Sequence, residues 1–274
     1  MTLDDVTTPA GRREEQLGGS ATYFALAAAR FAPVHLCAVV GDDAAERARQ
    51  ALARRGIDLK GLAVAEGRTC RWRATHDFER WVTASESCDE GVYGSWDGRL
   101  TAAAAKAPVL FVGSMRPSLQ RQVLEQSSAV LIGADSMRVY IEAQRAEVRA
   151  LAEAADVLFL DRAEICALAE DDDWRSAARS LCGSGRLRAV VVKRGPEGAA
   201  CVTSYGMEER PARPVERVVD PTGAGDALAG GFLGACARAH RAEPEFLPVA
   251  LEAGLDQAAL AISAFGVDAL SARS

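Results

Sequence analysis

Five short apolar runs punctuate the chain, at residues 34–40, 109–112, 129–132, 157–160 and 189–192, each dominated by Val, Leu, Ile or other apolar residues rather than alternating with polar ones. Runs of this kind predict strands buried on both faces. Between them, apolar residues recur at helical spacing over 21–30, 44–55, 141–154, 174–181 and 227–239, and two of these segments end in arginine, Arg30 and Arg55, as the negative end of a helix dipole favours. Strand alternating with helix predicts an α/β fold, a doubly wound and mostly parallel sheet with helices on both faces. Two segments depart from that rhythm. Residues 69–87 are β-prone and close to alternating around a turn-like middle, which predicts a hairpin with one wet face. Residues 1–17 are polar, contain Pro9 and Gly11, and show no helical period. The expectation is a small β lid built from residues 1–17 and 67–95, set on an α/β core of residues 18–66 and 96–274, beside the carboxyl ends of the main strands. An outward-facing Trp72 or Trp81 would give that lid a surface for a homodimer.

Composition narrows the function classes. The 274 residues are 49% hydrophobic and 26% charged, the proportions of a globular protein with room for a buried pocket. The formal net charge is −6, and Lys60, Lys106 and Lys193 are the only lysines, which disfavours binding to a nucleic-acid backbone. Seven cysteines, an odd number with no Cys-x-x-Cys spacing, suggest neither a disulfide framework nor a zinc site and read as reduced thiols of a cytoplasmic protein. No apolar run approaches the roughly 20 residues of a membrane span. Asparagine is absent altogether, so any site that commonly uses Asn must use another residue here.

The most informative segment runs Asp220, Pro221, Thr222, Gly223, Ala224, Gly225, Asp226 and continues into a small-residue helix. The glycines allow a ligand to approach the backbone closely, and N–H groups of Gly223, Ala224 and Gly225 at a helix N-terminus suit an anion. Asp226 in the first turn is placed to accept a proton from a hydroxyl attacking phosphorus. The blander alternative is that Thr222 caps the helix and Asp226 complements its dipole.

The segment resembles the C-terminal signature of the ribokinase-like, or PfkB, family of carbohydrate and nucleoside kinases. Four further motifs follow in the family's order: Gly18 and Gly19; Gly41, Asp42 and Asp43; Asp161 to Glu164; and Lys193 to Gly198. The resemblance covers nearly the whole chain and implies a ribokinase-like fold and an ATP- and Mg2+-dependent kinase acting on a hydroxymethyl group of a sugar or nucleoside. It implies that Asp226 is the catalytic base, with Gly223, Ala224 and Gly225 as the anion hole. Asp161, Lys193, Gly195, Gly198 and Gly225 would line the ATP site. Glu164 would order the Mg2+, with Asp161 a further ligand, and Asp220 falls where some members bind K+. Gly18, Gly19 and Tyr23 would face the sugar, and Asp4 would chelate two of its hydroxyls, with Asp5 competing for that role.

Three departures from the family pattern stand out. Asp161 replaces the Asn of the family's Asn-x-x-Glu motif, adding negative charge near the phosphates, and Tyr23 stands where an Asn often reads a sugar hydroxyl. A nucleoside substrate would need aromatic surface for its base, for which Trp72, Phe78 and Trp81 are the candidates. An inactive scaffold on the same fold is the alternative from another class. Lastly, family members begin with an apolar strand ahead of the lid segment. Here Met1 directly precedes Thr2, Leu3 and Asp4, so the expectation is a natural start about ten residues upstream and, without it, two neighbouring strands with unpaired edges and a slot in the core.

Overall fold

The structure is a computed structural model that describes residues 1–53 and 55–272. Its chain begins with β1 (Thr2–Thr8) and β2 (Gly11–Gly18), then α1 (Ser20–Ala28), β3 (His35–Gly41), α2 (Ala45–Ala53) and β4 (Asp58–Ala65). A hairpin of β5 (Cys70–Asp77) and β6 (Val82–Asp89) follows, then α3 (Ala102–Ala105), β7 (Val109–Val112), α4 (Pro117–Glu125) and β8 (Leu131–Asp135). Next come α5 (Arg138–Ala143), α6 (Arg145–Ala154), β9 (Val157–Asp161), α7 (Arg162–Ala169), α8 (Trp174–Leu181) and β10 (Ala189–Lys193). The chain closes with β11 (Ala199–Thr203), β12 (Gly206–Arg210), α9 (Ala224–Ala239), α10 (Leu247–Ala261) and α11 (Asp268–Ser271).

The main sheet has the order β12-β11-β10-β9-β8-β7; its β7 to β10 part is parallel and its last two strands are antiparallel. Side chains along its strands divide by parity. Leu158, Leu160, Val190 and Val192 pack toward α6, α7 and α8, whereas Val157, Phe159, Ala189 and Val191 pack toward α9 and α10. Strands covered on both faces have no polar face to show, which is why they appear in the sequence as unbroken apolar runs. The small residues of α9 serve close packing of helix on helix: a Cβ on Gly230 would fall 2.6 Å from the Phe24 carbonyl of α1, and one on Gly231 2.5 Å from the Ala253 carbonyl of α10.

A second sheet, β2-β1-β5-β6, stands apart from the first. Its inner strands β1 and β5 run parallel, while β2 and β6 flank them antiparallel. Residues 2–18 and 70–89 thus form one platform, and its buried Leu3 and Leu17 join a cluster with α1, β3 and α2.

Two features differ from a single sheet with unbroken helices. First, β3 and β4 form a separate parallel pair. The free edges of β3 and β7 both border one cavity, lined by residues 33–39 on one side and by Val109, Leu110 and Phe111 on the other. Second, the apolar period over 141–154 is carried by two helices, because Gln144 leaves helical geometry (φ −143°, ψ 47°) and redirects the chain between α5 and α6. Ile141 and Val148 are both fully buried on either side of that break, so the apolar spacing carries no sign of it.

Candidate active site

The α9 N-terminus forms around Gly223, which adopts a left-handed conformation (φ 74°) and carries no side-chain cap. Nothing larger than glycine fits there, since a Cβ would fall 2.2 Å from the Tyr23 ring. Thr222 does not act as the cap: its hydroxyl pairs instead with His76 Nε2 at 2.9 Å. The Ala224 N–H turns back to the Pro221 carbonyl at 3.2 Å. Of Gly223, Ala224 and Gly225, the glycine at 223 borders the cavity, and an uncapped helix start of this kind suits an anion. Asp226, in the first turn of α9, borders the same cavity and accepts a short hydrogen bond from the Ser20 hydroxyl at the start of α1. Burial raises its pKa, opposed by the Ser20 bond and by the Lys193 charge. A desolvated carboxylate with a raised pKa is a better proton acceptor than a solvated one.

Behind this turn lies a charged cluster from three strand ends. Lys193, at the end of β10, reaches both oxygens of Asp135, at the end of β8, at 3.0 and 3.1 Å, and lies 3.8 Å from Glu164. Burial alone would lower the Lys193 pKa, but the Asp135 and Glu164 charges outweigh it and keep the ammonium protonated. Burial raises the carboxyls of Asp135 and Glu164, and the lysine works against it in both. Asp161 and Glu164 close a reciprocal cap on α7: Glu164 N–H donates to the Asp161 carboxylate, and Asp161 N–H to the Glu164 carboxylate, each at 2.8 Å. Gly195 and Gly198, with φ of 57° and 92°, bracket the turn between β10 and β11.

The opposite wall is formed by the β2-β1-β5-β6 sheet. Asp4 on β1 is buried at 2% exposure, borders the cavity, and lies against Gly18, while Gly19 opens α1 beside it. Burial pushes the Asp4 carboxyl up to about 7. Asp5 points elsewhere, to Arg73 at 3.0 Å and to the Glu15 N–H at 2.9 Å. Tyr23 lies buried under Gly223 and borders the cavity, its hydroxyl making no hydrogen bond among the described residues. Asp220 is spent on backbone, accepting from the N–H of Thr222 at 2.9 Å and of Gly266 at 3.3 Å. No group of three or more His, Cys, Asp or Glu residues among the described residues is arranged to hold a metal ion.

The cavity bordered by these walls continues between the β3 and β7 edges, and the whole has a volume of about 560 Å³. Trp72, Tyr93, Trp96 and Tyr140 border it. Phe78 and Trp81, the other aromatic candidates, stack on each other at the hairpin tip with centroids 5.6 Å apart, Trp81 48% exposed, and neither borders the cavity. Asp135, Ser20 and His76 were not singled out by sequence: Asp135 and His76 enter from strand ends with no local motif around them, and Ser20 directly follows the paired glycines Gly18 and Gly19. No helix among the described residues is long and apolar enough to cross a membrane.

Fold and site bring together an uncapped helix start, a buried carboxylate and an adjoining cavity. Residues 2–273 match the pfkB family of carbohydrate kinases, and the chain belongs to that family: it is a kinase with an alcohol group as acceptor. Among curated relatives, a cytidine kinase of Thermococcus kodakarensis is 29% identical over 250 residues, covering 89% of this chain and 88% of the relative. The fold is shared with aminoimidazole riboside kinase from Salmonella enterica, solved with aminoimidazole riboside and an ATP analogue (TM-score 0.77, 20% identity, 98% of this chain and 93% of that one). It is shared equally with a putative ribokinase II from E. coli solved with ATP and Mg2+ (TM-score 0.76, 18% identity, 99% and 96%).

Proposed function

We propose that the protein is an ATP-dependent nucleoside kinase that phosphorylates the 5′-hydroxymethyl group of a ribonucleoside, with Asp226 as general base. The observation that carries this reading is the buried Asp226 carboxylate at the uncapped start of α9, in the same cavity as Asp4 and the aromatic residues Trp72, Tyr93, Trp96 and Tyr140. The nucleoside rather than a bare sugar is favoured by Trp72, Tyr93, Trp96 and Tyr140, which offer ring surface for a base. The cytidine kinase among its relatives supports the same choice.

In this mechanism Asp4 accepts hydrogen bonds from ribose hydroxyls and holds the 5′-hydroxyl toward Asp226. The 5′-oxygen to γ-phosphorus bond forms as the bond from that phosphorus to the β,γ-bridging oxygen breaks. The hydroxyl proton passes to Asp226, and ADP leaves with the bridging electron pair. The start of α9 and the Lys193 ammonium stabilise the charge on the transferring group, so positioning and electrostatics supply most of the rate. Magnesium typically takes one or two carboxylates and completes its shell with phosphate oxygens and water, and Glu164, with one oxygen left over from the α7 cap, fits that pattern. When bound with ATP it neutralises phosphate charge. The experiment is turnover with ATP and Mg2+ against a panel of ribonucleosides and free sugars. A nucleoside is expected to exceed free ribose in kcat/KM by about 100-fold or more, the scale of several buried contacts; a sugar that outperforms every nucleoside contradicts the assignment.

A further inference from the structure

The Lys193 ammonium occupies a place that its own charge disfavours. A Cβ on Gly225 would lie 3.0 Å from Lys193 Cδ and 3.3 Å from its Nζ, so the side chain passes directly over the first turn of α9. The positive end of a helix dipole repels a cation there. What holds the lysine is Asp135, whose two oxygens receive it at 3.0 and 3.1 Å. That carboxylate is itself fixed. Asp135 is 2% exposed, Oδ1 accepts from the Ser136 N–H at 2.8 Å, and the Asp135 carbonyl accepts from the buried Gln120 amide at 2.7 Å. Gln120 also ties the Gly113 carbonyl at 2.8 Å, locking the ends of β7 and β8 together. An ammonium has three donors, and two on Asp135 leave a third for another acceptor.

We propose that Asp135 is a positioning residue that holds the Lys193 ammonium over the start of α9, and that Lys193 is the catalytic residue meeting the oxygens of the transferred phosphoryl group. Two sources of positive potential, a helix start and an ammonium, then converge where the phosphoryl group passes, and neither has to reorganise during transfer. No proton moves to or from Lys193; the bonds made and broken are those given above. The inference rests on the kinase reading proposed above for the start of α9.

Four proteins test it: wild type, Lys193→Met, Asp135→Asn and the double variant. Each is measured for kcat, nucleoside KM, the ratio of ATP to ADP affinity by calorimetry, and melting temperature. Lys193→Met is expected to lower kcat about 10²- to 10³-fold with nucleoside KM within about threefold, and to bring the ATP to ADP affinity ratio toward one. Asp135→Asn is expected to lower kcat about 10- to 100-fold and to reduce the same ratio. Because Asp135 acts through Lys193, the double variant is expected to match Lys193→Met within about twofold in kcat and in the ratio. It also removes the unpaired buried charge that Asp135→Asn leaves, so it folds even if the single variant does not. A double variant tenfold or more below Lys193→Met would overturn the proposal, since Asp135 would then act on its own, as a metal ligand or a purely structural residue. So would an unchanged ATP to ADP ratio in Lys193→Met. A wild type that phosphorylates no sugar or nucleoside defeats the kinase reading, while the affinity ratio still decides whether Lys193 meets the terminal phosphate.

Discussion

At the scale of single residues, the site is a set of carboxylates kept out of water. Asp4 shows the cost most clearly. Its pKa is raised from 3.8 to about 7, chiefly by burial, so the folded chain holds the proton more tightly than the unfolded one. The stability this proton contributes is full below the unfolded value and is lost as pH rises through about 7. Above that, burying the charged form costs up to about 4 kcal/mol at 1.4 kcal/mol per pKa unit. Asp4→Asn is therefore expected to raise the melting temperature, by more at pH 8 than at pH 5, and to raise nucleoside KM about tenfold or more by removing a charged hydrogen-bond acceptor. Wild-type kcat/KM should climb with pH through about 7 as Asp4 ionises. A variant no more stable at pH 8 than the wild type, or one with unchanged KM, contradicts the placement of a buried, substrate-facing carboxylate at position 4.

The glycines and Asp226 of the site were legible in sequence because they are contiguous, and a turn that needs positive φ at Gly223 followed by a helix start is local chemistry. Asp135 and Ser20 were not. Asp135 is an isolated polar residue at the end of an ordinary strand, Ser20 is a single residue beyond the paired glycines, and only tertiary packing brings them to Lys193 and Asp226. The aromatic candidates divide for a similar reason: alternation places Trp72 in the hairpin without saying which face meets the cavity, and Trp81 adopts positive φ (52°) in the turn region, out of the strand pattern.

At the scale of elements, apolar runs identified the parallel strands well because burial on both faces leaves a strong composition signal. The edges of the sheet were less legible. β11 and β12 are short, and β12 alternates with exposed charges, so neither stood out as part of the main sheet. The β3 and β7 edges face one cavity, and their N–H and C=O groups are the natural template for a further parallel strand. The first residue lies at the head of that cleft, its amine 3.4 Å from the Val39 carbonyl of β3. A chain extended ahead of Met1 by a strand of about six β-branched residues is expected to pair with both edges. Its melting temperature should rise well above that of the 274-residue chain, as several ladder hydrogen bonds of about 1 kcal/mol each and buried apolar surface are added. Equal melting temperatures, or amides in the added segment that exchange freely with solvent, would show that the cleft does not accept a strand.

At the scale of the whole molecule, two sheets of different character divide the labour. The buried parallel sheet fixes Asp135, Asp161 and Lys193 at the ends of neighbouring strands, where helices cover both faces. The smaller sheet brings Asp4 and Trp72 over the cavity that Gly223 and Asp226 border, and reaches the signature loop through the bond between His76 and Thr222. The signature loop with Asp226 and the wall facing it, with Asp4 and Trp72, thus come from elements far apart in sequence, and in the proposed mechanism Asp226 is where the chemistry is decided. The most direct test is kcat and ATP affinity of Asp226→Asn beside the wild type, on the nucleoside that the wild type uses best. Loss of the base without loss of phosphate contacts predicts a kcat lower by about 10²- to 10⁴-fold, with ATP affinity within a few fold. A variant that turns over at a rate comparable to the wild type would show that Asp226 does not accept the proton.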